Sequence, residues 1–158
     1  RSKARVHSPD EWSQGVSQDV ANVTDDFGPA LAAAIASGEI DPGTQRIDHY
    51  TTDDLYGRRC RIPMGTVALT YVHRKDHLSI CLQGTVVLID QNGVRTEVTA
   101  PDVFITRAGT QRALLALTDV DFITVHYHPN ADLSTIESDL GCKSMAEYKQ
   151  LISHEVGP

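Results

Sequence analysis

Between residues 58 and 128 apolar and polar positions alternate with a period of two, the spacing of side chains along a strand with one buried face. Turn-forming residues cut this alternation into eight short runs, at 58–63, 66–73, 78–83, 85–90, 95–99, 103–107, 112–117 and 121–128. Asn92-Gly93 separates two of them and is a strong hairpin signal, because both residues tolerate the positive φ of a tight primed turn. Eight short strands with little helix between them predict a β-sandwich or barrel.

The flanks change period. Ser8-Pro9-Asp10-Glu11 reads as a helix start, with Ser8 as cap, Pro9 in the first helical position and Glu11 closing a capping box. Trp12, Val16 and Val20 then lie on one apolar stripe. A second helix is expected over 28–37, ending at Gly38, and the polar segment 39–56 reads as a connector. Downstream, Ser134-Thr135-Ile136-Glu137 and Ser144-Met145-Ala146-Glu147 are both capping-box patterns. The expected organisation is a helical arm and connector over 1–56, a barrel over 57–129 and C-terminal helices over 130–158, within one structural domain. No internal repeat or low-complexity segment interrupts it.

Composition narrows the chemistry. A chain of 158 residues with 41% apolar and 22% charged side chains can build a core without disulfides. Its formal net charge of −7 speaks against nucleic acid and anionic membrane as partners, because both call for a basic surface. No apolar run has the length of a membrane span, and the first thirty residues lack a signal-peptide core. Arg1 rather than Met opens the chain, which leaves its true start open. Cys60, Cys81 and Cys142 are scattered, with no CxxC spacing, and read as free thiols of a reducing compartment such as the cytoplasm.

The candidate chemistry sits in histidines. His73 and His77 bracket a strand turn, and His126 and His128 end the last alternating run. Val67, Leu69, Tyr71 and His73 would share one strand face, as would Phe122, Thr124, His126 and His128. If both faces point into a barrel, the imidazoles meet. His73, His77 and His126, with Tyr71 or His128 in reserve, would make a nitrogen-rich site suited to Zn, Fe, Ni or Cu. The same residues also read as a polar strand end with unconnected, exposed histidines. The parity of Arg112 is ambiguous, since it shares a face with Leu114 and Ala116 while Ala113 shares one with Leu115; at a barrel-facing position its forked donors could capture a carboxylate or phosphate. The plainer reading is an internal ion pair with Asp76 or Asp102, or simple exposure. Cys81 reads as a small buried hydrophobe. There is no glycine-rich phosphate loop, HExxH helix or ordered Ser-His-Asp set.

Gly65 through Gly84 resembles a degenerate form of the first cupin motif. His73 falls on the second His of that motif, His77 on its Glu ligand, and Tyr71 on its first His. Pro101 through Arg112 resembles the second motif, with Gly109 on its internal Gly, Arg112 on its His ligand and Arg107 on its Pro. The spacing also resembles small cupin-like proteins of tailed phages. The resemblance covers about half the chain and implies a mainly β fold, a double-stranded β-helix or jelly-roll barrel, with terminal helices outside it. Two of the four ligand positions of those motifs are changed, so the expected metal site depends on the residue reading, in which His126 joins His73 and His77 to hold a divalent metal and Tyr71, Arg112 and His128 lie near an anionic ligand. A homo-oligomer, a dimer or higher, is the expected assembly. The alternative is a non-enzymatic phage virion or accessory protein that uses the barrel as a scaffold.

Overall fold

The computed structural model describes residues 33–41 and 43–155. The helix expected from Ser8 onward and most of the one expected over 28–37 lie outside these residues; of the latter, 33–36 are helical. Eleven strands follow: β1 (Arg46–Thr51), β2 (Leu55–Ile62), β3 (Val67–Leu69), β4 (Val72–His73), β5 (His77–Gln83), β6 (Thr85–Asp90), β7 (Arg95–Thr99), β8 (Asp102–Thr106), β9 (Arg112–Ala116), β10 (Val120–Tyr127) and β11 (Gly141–Cys142). Two helices flank β11, α1 (Ile136–Leu140) and α2 (Met145–Glu155).

One sheet has the order β1-β2-β10-β5-β8 and the other β3-β9-β6-β7, with all pairings antiparallel. Without β1 these are two four-stranded sheets between which the chain crosses back and forth, which is a jelly roll. A hairpin does turn at Asn92-Gly93 between β6 and β7, but through the four-residue loop 91–94 rather than a two-residue primed turn, with positive φ at Gly93 (77°) and not at Asn92. At Gly84, between β5 and β6, φ is 83° and a side chain would strike the backbone carbonyl of Asp119. Only glycine fits that turn.

Three expectations are corrected. The connector 39–56 contains β1, which escaped notice because its exposed face is charged: Asp48 pairs with Arg46 at 3.3 Å and with Arg61 at 2.7 Å. Charge is what a solvent-facing edge strand carries. The run 66–73 is not one strand. It breaks at Thr70, whose hydroxyl and carbonyl accept from the Arg112 backbone and the Gln111 side chain. β4 then pairs with β11 instead of continuing the barrel wall. Finally, α1 starts one residue later than the Ser134 box predicts. Thr135 is its cap, without a side-chain capping bond, while Ser134 bonds Asp132. The second pattern forms in part: Glu147 N–H donates to Ser144 Oγ, while the Glu147 carboxylate accepts from Lys143 N–H instead of that of Ser144.

The interior is divided. Toward one end Ile62, Cys81, Val86, Leu88, Val98, Leu114, Ala116, Val120 and Phe122 form the apolar core. Toward the other end, buried positions are polar: His77, Ser79, Thr106 and His126. Strand register stacks these layers. Tyr56 pairs with His126, and His77 with Thr106, at the polar end; Arg58, Thr124 and Ser79 form the next layer, and Cys60, Phe122 and Cys81 the one below.

Candidate functional site

Strand alternation places Tyr56, Arg58, Cys60 and Ile62 of β2 on the inner face with His77, Ser79 and Cys81 of β5 and Phe122, Thr124 and His126 of β10. At the polar end three imidazoles meet. The His73 and His77 ring centroids are 4.4 Å apart and edge-on. Those of His77 and His126 are 4.2 Å apart and stacked at 28°. The structure thus brings together the three histidines singled out as metal ligands, although they come from three strands.

Burial holds all three in the neutral form. The pKa of His73 is lowered to about 3 by burial first, then by His77 and His126 and by the positive charges of Arg112 and Arg58. His126 is likewise lowered to about 3, by burial, His77, Arg58 and His128. His77 is lowered by burial and by Arg112, against opposing contributions from the Lys75 carbonyl and Asp76. The Lys75 carbonyl, 3.4 Å from His77 Nδ1, can only accept, so this nitrogen carries the hydrogen.

Tyr71 and His128 are not part of the cluster. The break at Thr70 turns the Tyr71 phenol outward, where it donates to Glu137 at 3.2 Å. His128 Nε2 lies 3.2 Å from Asp139 on α1. Both side chains therefore face the C-terminal segment.

Arg112 does face the barrel. Its Nη1 donates to Thr106 Oγ1 at 2.8 Å, and its guanidinium sits 5.6 Å from the centre of the Phe104 ring. The expected ion pair is not there: Asp76 is taken by Arg107 at 2.6 Å, and no carboxylate pairs with Arg112 among the described residues. Burial lowers its pKa, with Asp90 opposing. Sequence reading passed over Arg58. It lies in the run Arg58-Arg59-Cys60-Arg61, where strand parity separates two outward arginines, Arg59 and Arg61, from an inward one. Arg59 pairs with Asp121 and Arg61 with Asp48. Arg58 pairs with no carboxylate among the described residues, and its buried Nε has no hydrogen-bond partner. Parity alone could have found it.

A depression of about 340 Å³ opens at this end, lined by His77, His126, the Asp76–Arg107 pair and apolar side chains from the outer sheet face. A larger one of about 630 Å³ lies along β1 and β2 and contains none of these histidines; its arginines, Arg46 and Arg61, are already paired with Asp48.

The donor chemistry of three neutral imidazoles suits a transition metal. The placement does not. Stacked rings present faces rather than converging lone pairs, two guanidiniums add positive charge, and no group of three or more His, Cys, Asp or Glu side chains is set to hold a metal ion among the described residues. No described helix is long and apolar enough to cross a membrane.

No family model and no curated protein matches the chain. Among solved structures it is similar to a cupin domain from Bordetella pertussis Tohama I, with 14% identity over 56% of this chain and 98% of that one, at a TM-score of 0.48. It is also similar to a predicted oxalate decarboxylase from Thermotoga maritima, with 23% identity over 52% and 79% of the two chains and a TM-score of 0.46. KdgF from a Halomonas species shows 22% identity over 56% and 79%, with a TM-score of 0.45. Cupin-domain proteins are thus among its structural neighbours. The jelly-roll assignment itself stands on the strand order of this chain, and nothing about ligand or activity is carried over at this level of likeness.

Proposed function

We propose that this protein binds a small anionic molecule, a carboxylate in the first instance, at the polar end of the barrel. One observation carries the reading: two guanidiniums, Arg58 and Arg112, point inward without an ion pair among the described residues, and one has a buried, unpartnered Nε. A buried cation without a counter-charge is costly, and a bound anion removes that cost. A depression lined by His77 and His126, though not by either arginine, opens at the same end. The neutral imidazoles offer N–H donors, and the arginines set a positive potential behind them. Tyr71 and His128, held by Glu137 and Asp139, have no direct part.

Thermal-shift and calorimetric titration with formate, acetate, succinate, citrate and phosphate tests this. Saturable stabilisation by at least one carboxylate is expected, and its loss in both Arg58→Met and Arg112→Met. The absence of any response in the wild-type protein would sink the reading.

A second reading rests on the same cluster. Three neutral imidazoles in ring contact would hold Zn, Fe, Ni or Cu if the His77 and His126 rings turned out of their stack. Metal analysis of untagged protein decides it: a stoichiometric metal lost in His77→Ala supports this reading, and metal-free protein with no thermal response to divalent ions removes it. The scaffold role, in a phage particle or elsewhere, is favoured only by exposed apolar side chains on the outer sheet face, such as Leu78, Val103, Ile105 and Tyr127.

A further inference from the structure

The outer face of the five-stranded sheet is divided. On β1 and β2 it carries Arg46, Asp48, Arg59 and Arg61, all in ion pairs, with Asp121 of β10 as the partner of Arg59. On β10, β5 and β8 it turns apolar. Val125, Leu78 and Ile105 form one cross-strand row there, and Ile123, Ile80 and Val103 the next. Of eleven exposed large apolar side chains among the described residues, five lie on these three strands, from Leu78 at 41% to Tyr127 at 65% exposure. They form a strip rather than a scatter, and a contiguous apolar strip marks a surface that something covers.

We propose that the strip is the seat of the chain's own N-terminal segment, residues 12–27, laid along the strands as a helix. These residues lie outside the described ones, and it is their sequence pattern that matches the strip. Trp12, Val16, Val20, Val23 and Phe27 recur at spacings of four, four, three and four. On a helix of about 3.6 residues per turn they fall within an arc of about 80°, one narrow apolar face. Dimensions select this occupant. Three strands about 4.8 Å apart make a strip roughly 10 Å across, which one helix of that diameter covers. Sixteen helical residues run about 24 Å, and the seven residues of β5 about 23 Å. A second sheet would be wider than the strip and would bury the Arg59–Asp121 and Arg61–Asp48 pairs, whose desolvation works against it. The connection also reaches. Gly43 lies against Thr66, and Gln45 lines a groove with Gln83 and Val120, so the chain meets the barrel at the end where the strip begins, at Leu82 and Val103. Residues 28–43 have only the ~14 Å from β1 to β5 to cross.

Trp12 is the single tryptophan and reports on the seat. Its emission and its quenching by acrylamide in the full chain test the proposal. Leu78→Asp and Ile105→Asp alter the strip at exposed positions, and Val20→Asp alters the segment. Val94→Asp, in the exposed loop between β6 and β7 of the other sheet, is the control. Circular dichroism checks the barrel in each. The wild type should emit in the blue, resist acrylamide and keep both properties on dilution. Leu78→Asp, Ile105→Asp and Val20→Asp should each move the emission to the red, and Val94→Asp should leave it unchanged. Val20→Asp changes nothing in the barrel, so it carries the test where a strip variant fails to fold. A wild-type Trp12 that emits as in the urea-unfolded chain overturns the proposal. So does emission indifferent to the folded strip variants, or protection lost on dilution, which would set Trp12 against a second copy.

Discussion

Arg58 and Arg112 both face the barrel interior, from different sheets, but are held differently. Arg112 has Thr106 as acceptor and the Phe104 ring beneath it, whereas Arg58 keeps a buried Nε without a partner. Neither forms a salt bridge among the described residues, and for Arg112 the charge of Asp90 offsets only part of the desolvation. Replacing an unpaired buried charge with an apolar side chain of similar length is often neutral or stabilising. We therefore expect ligand-free Arg58→Met to be at least as stable as wild type toward urea, and Arg112→Met to lie within about 1 kcal/mol of it, since it gives up one hydrogen bond. A loss of several kcal/mol in Arg58→Met would mean that the guanidinium is structurally paired. Legibility at this scale followed parity. Parity turns His77 and His126 inward on β5 and β10, whereas His73 reaches them from β4, beyond the break. Tyr71 was misplaced because its inward orientation assumed an unbroken strand through Thr70. His128 was misplaced because the Asp139 that holds it lies in a helix, and an ion pair across elements leaves no periodic trace.

At the scale of elements, the barrel strands and the Asn92-Gly93 hairpin were readable because each local signal agrees with the tertiary arrangement. Edges were harder: β1 carries Arg46 and Asp48 where an inner strand carries apolar residues, and β4 and β11 are two residues each, too short for any period. The turn at Gly84 gives a direct check. With φ at 83° and the Asp119 carbonyl in the way, Gly84→Ala should cost at least about 2 kcal/mol in urea unfolding, more than the ~1 kcal/mol of a positive-φ penalty alone. The start of α2 gives a milder one. Ser144→Ala removes the acceptor of the Glu147 N–H and should cost about 1 kcal/mol. Ser134→Ala should cost less, because Ser134 does not cap α1.

For the whole molecule, the neutral histidine cluster ties stability to pH. In the unfolded chain His73 and His126 titrate near their ordinary value of 6.5, whereas in the folded protein both are lowered to about 3. Their contribution is therefore fully present above pH 6.5. Below it, the unfolded state takes up protons that the folded state refuses, and the contribution is lost progressively as pH falls toward 3. Each imidazole tilts the stability by up to about 1.4 kcal/mol per pH unit within that window. His77, also lowered, acts in the same direction. The carboxylates whose values fall on folding, Asp76, Asp121 and Asp132, start from 3.8, so they add nothing to the slope until pH approaches that value. Between pH 6.5 and 4.5 the loss thus belongs to the histidines, and urea unfolding across that range should show a slope of more than one proton. His126→Asn should reduce it by about one proton. A flat profile in the wild type would mean that the three rings are charged, or that they are open to water in the folded state. A saturating carboxylate should shallow the slope, because an anion beside the cluster favours protonated imidazole and raises the folded-state values. The ligand and the proton would then bind cooperatively to one site, so that carboxylate affinity strengthens as pH falls toward 5.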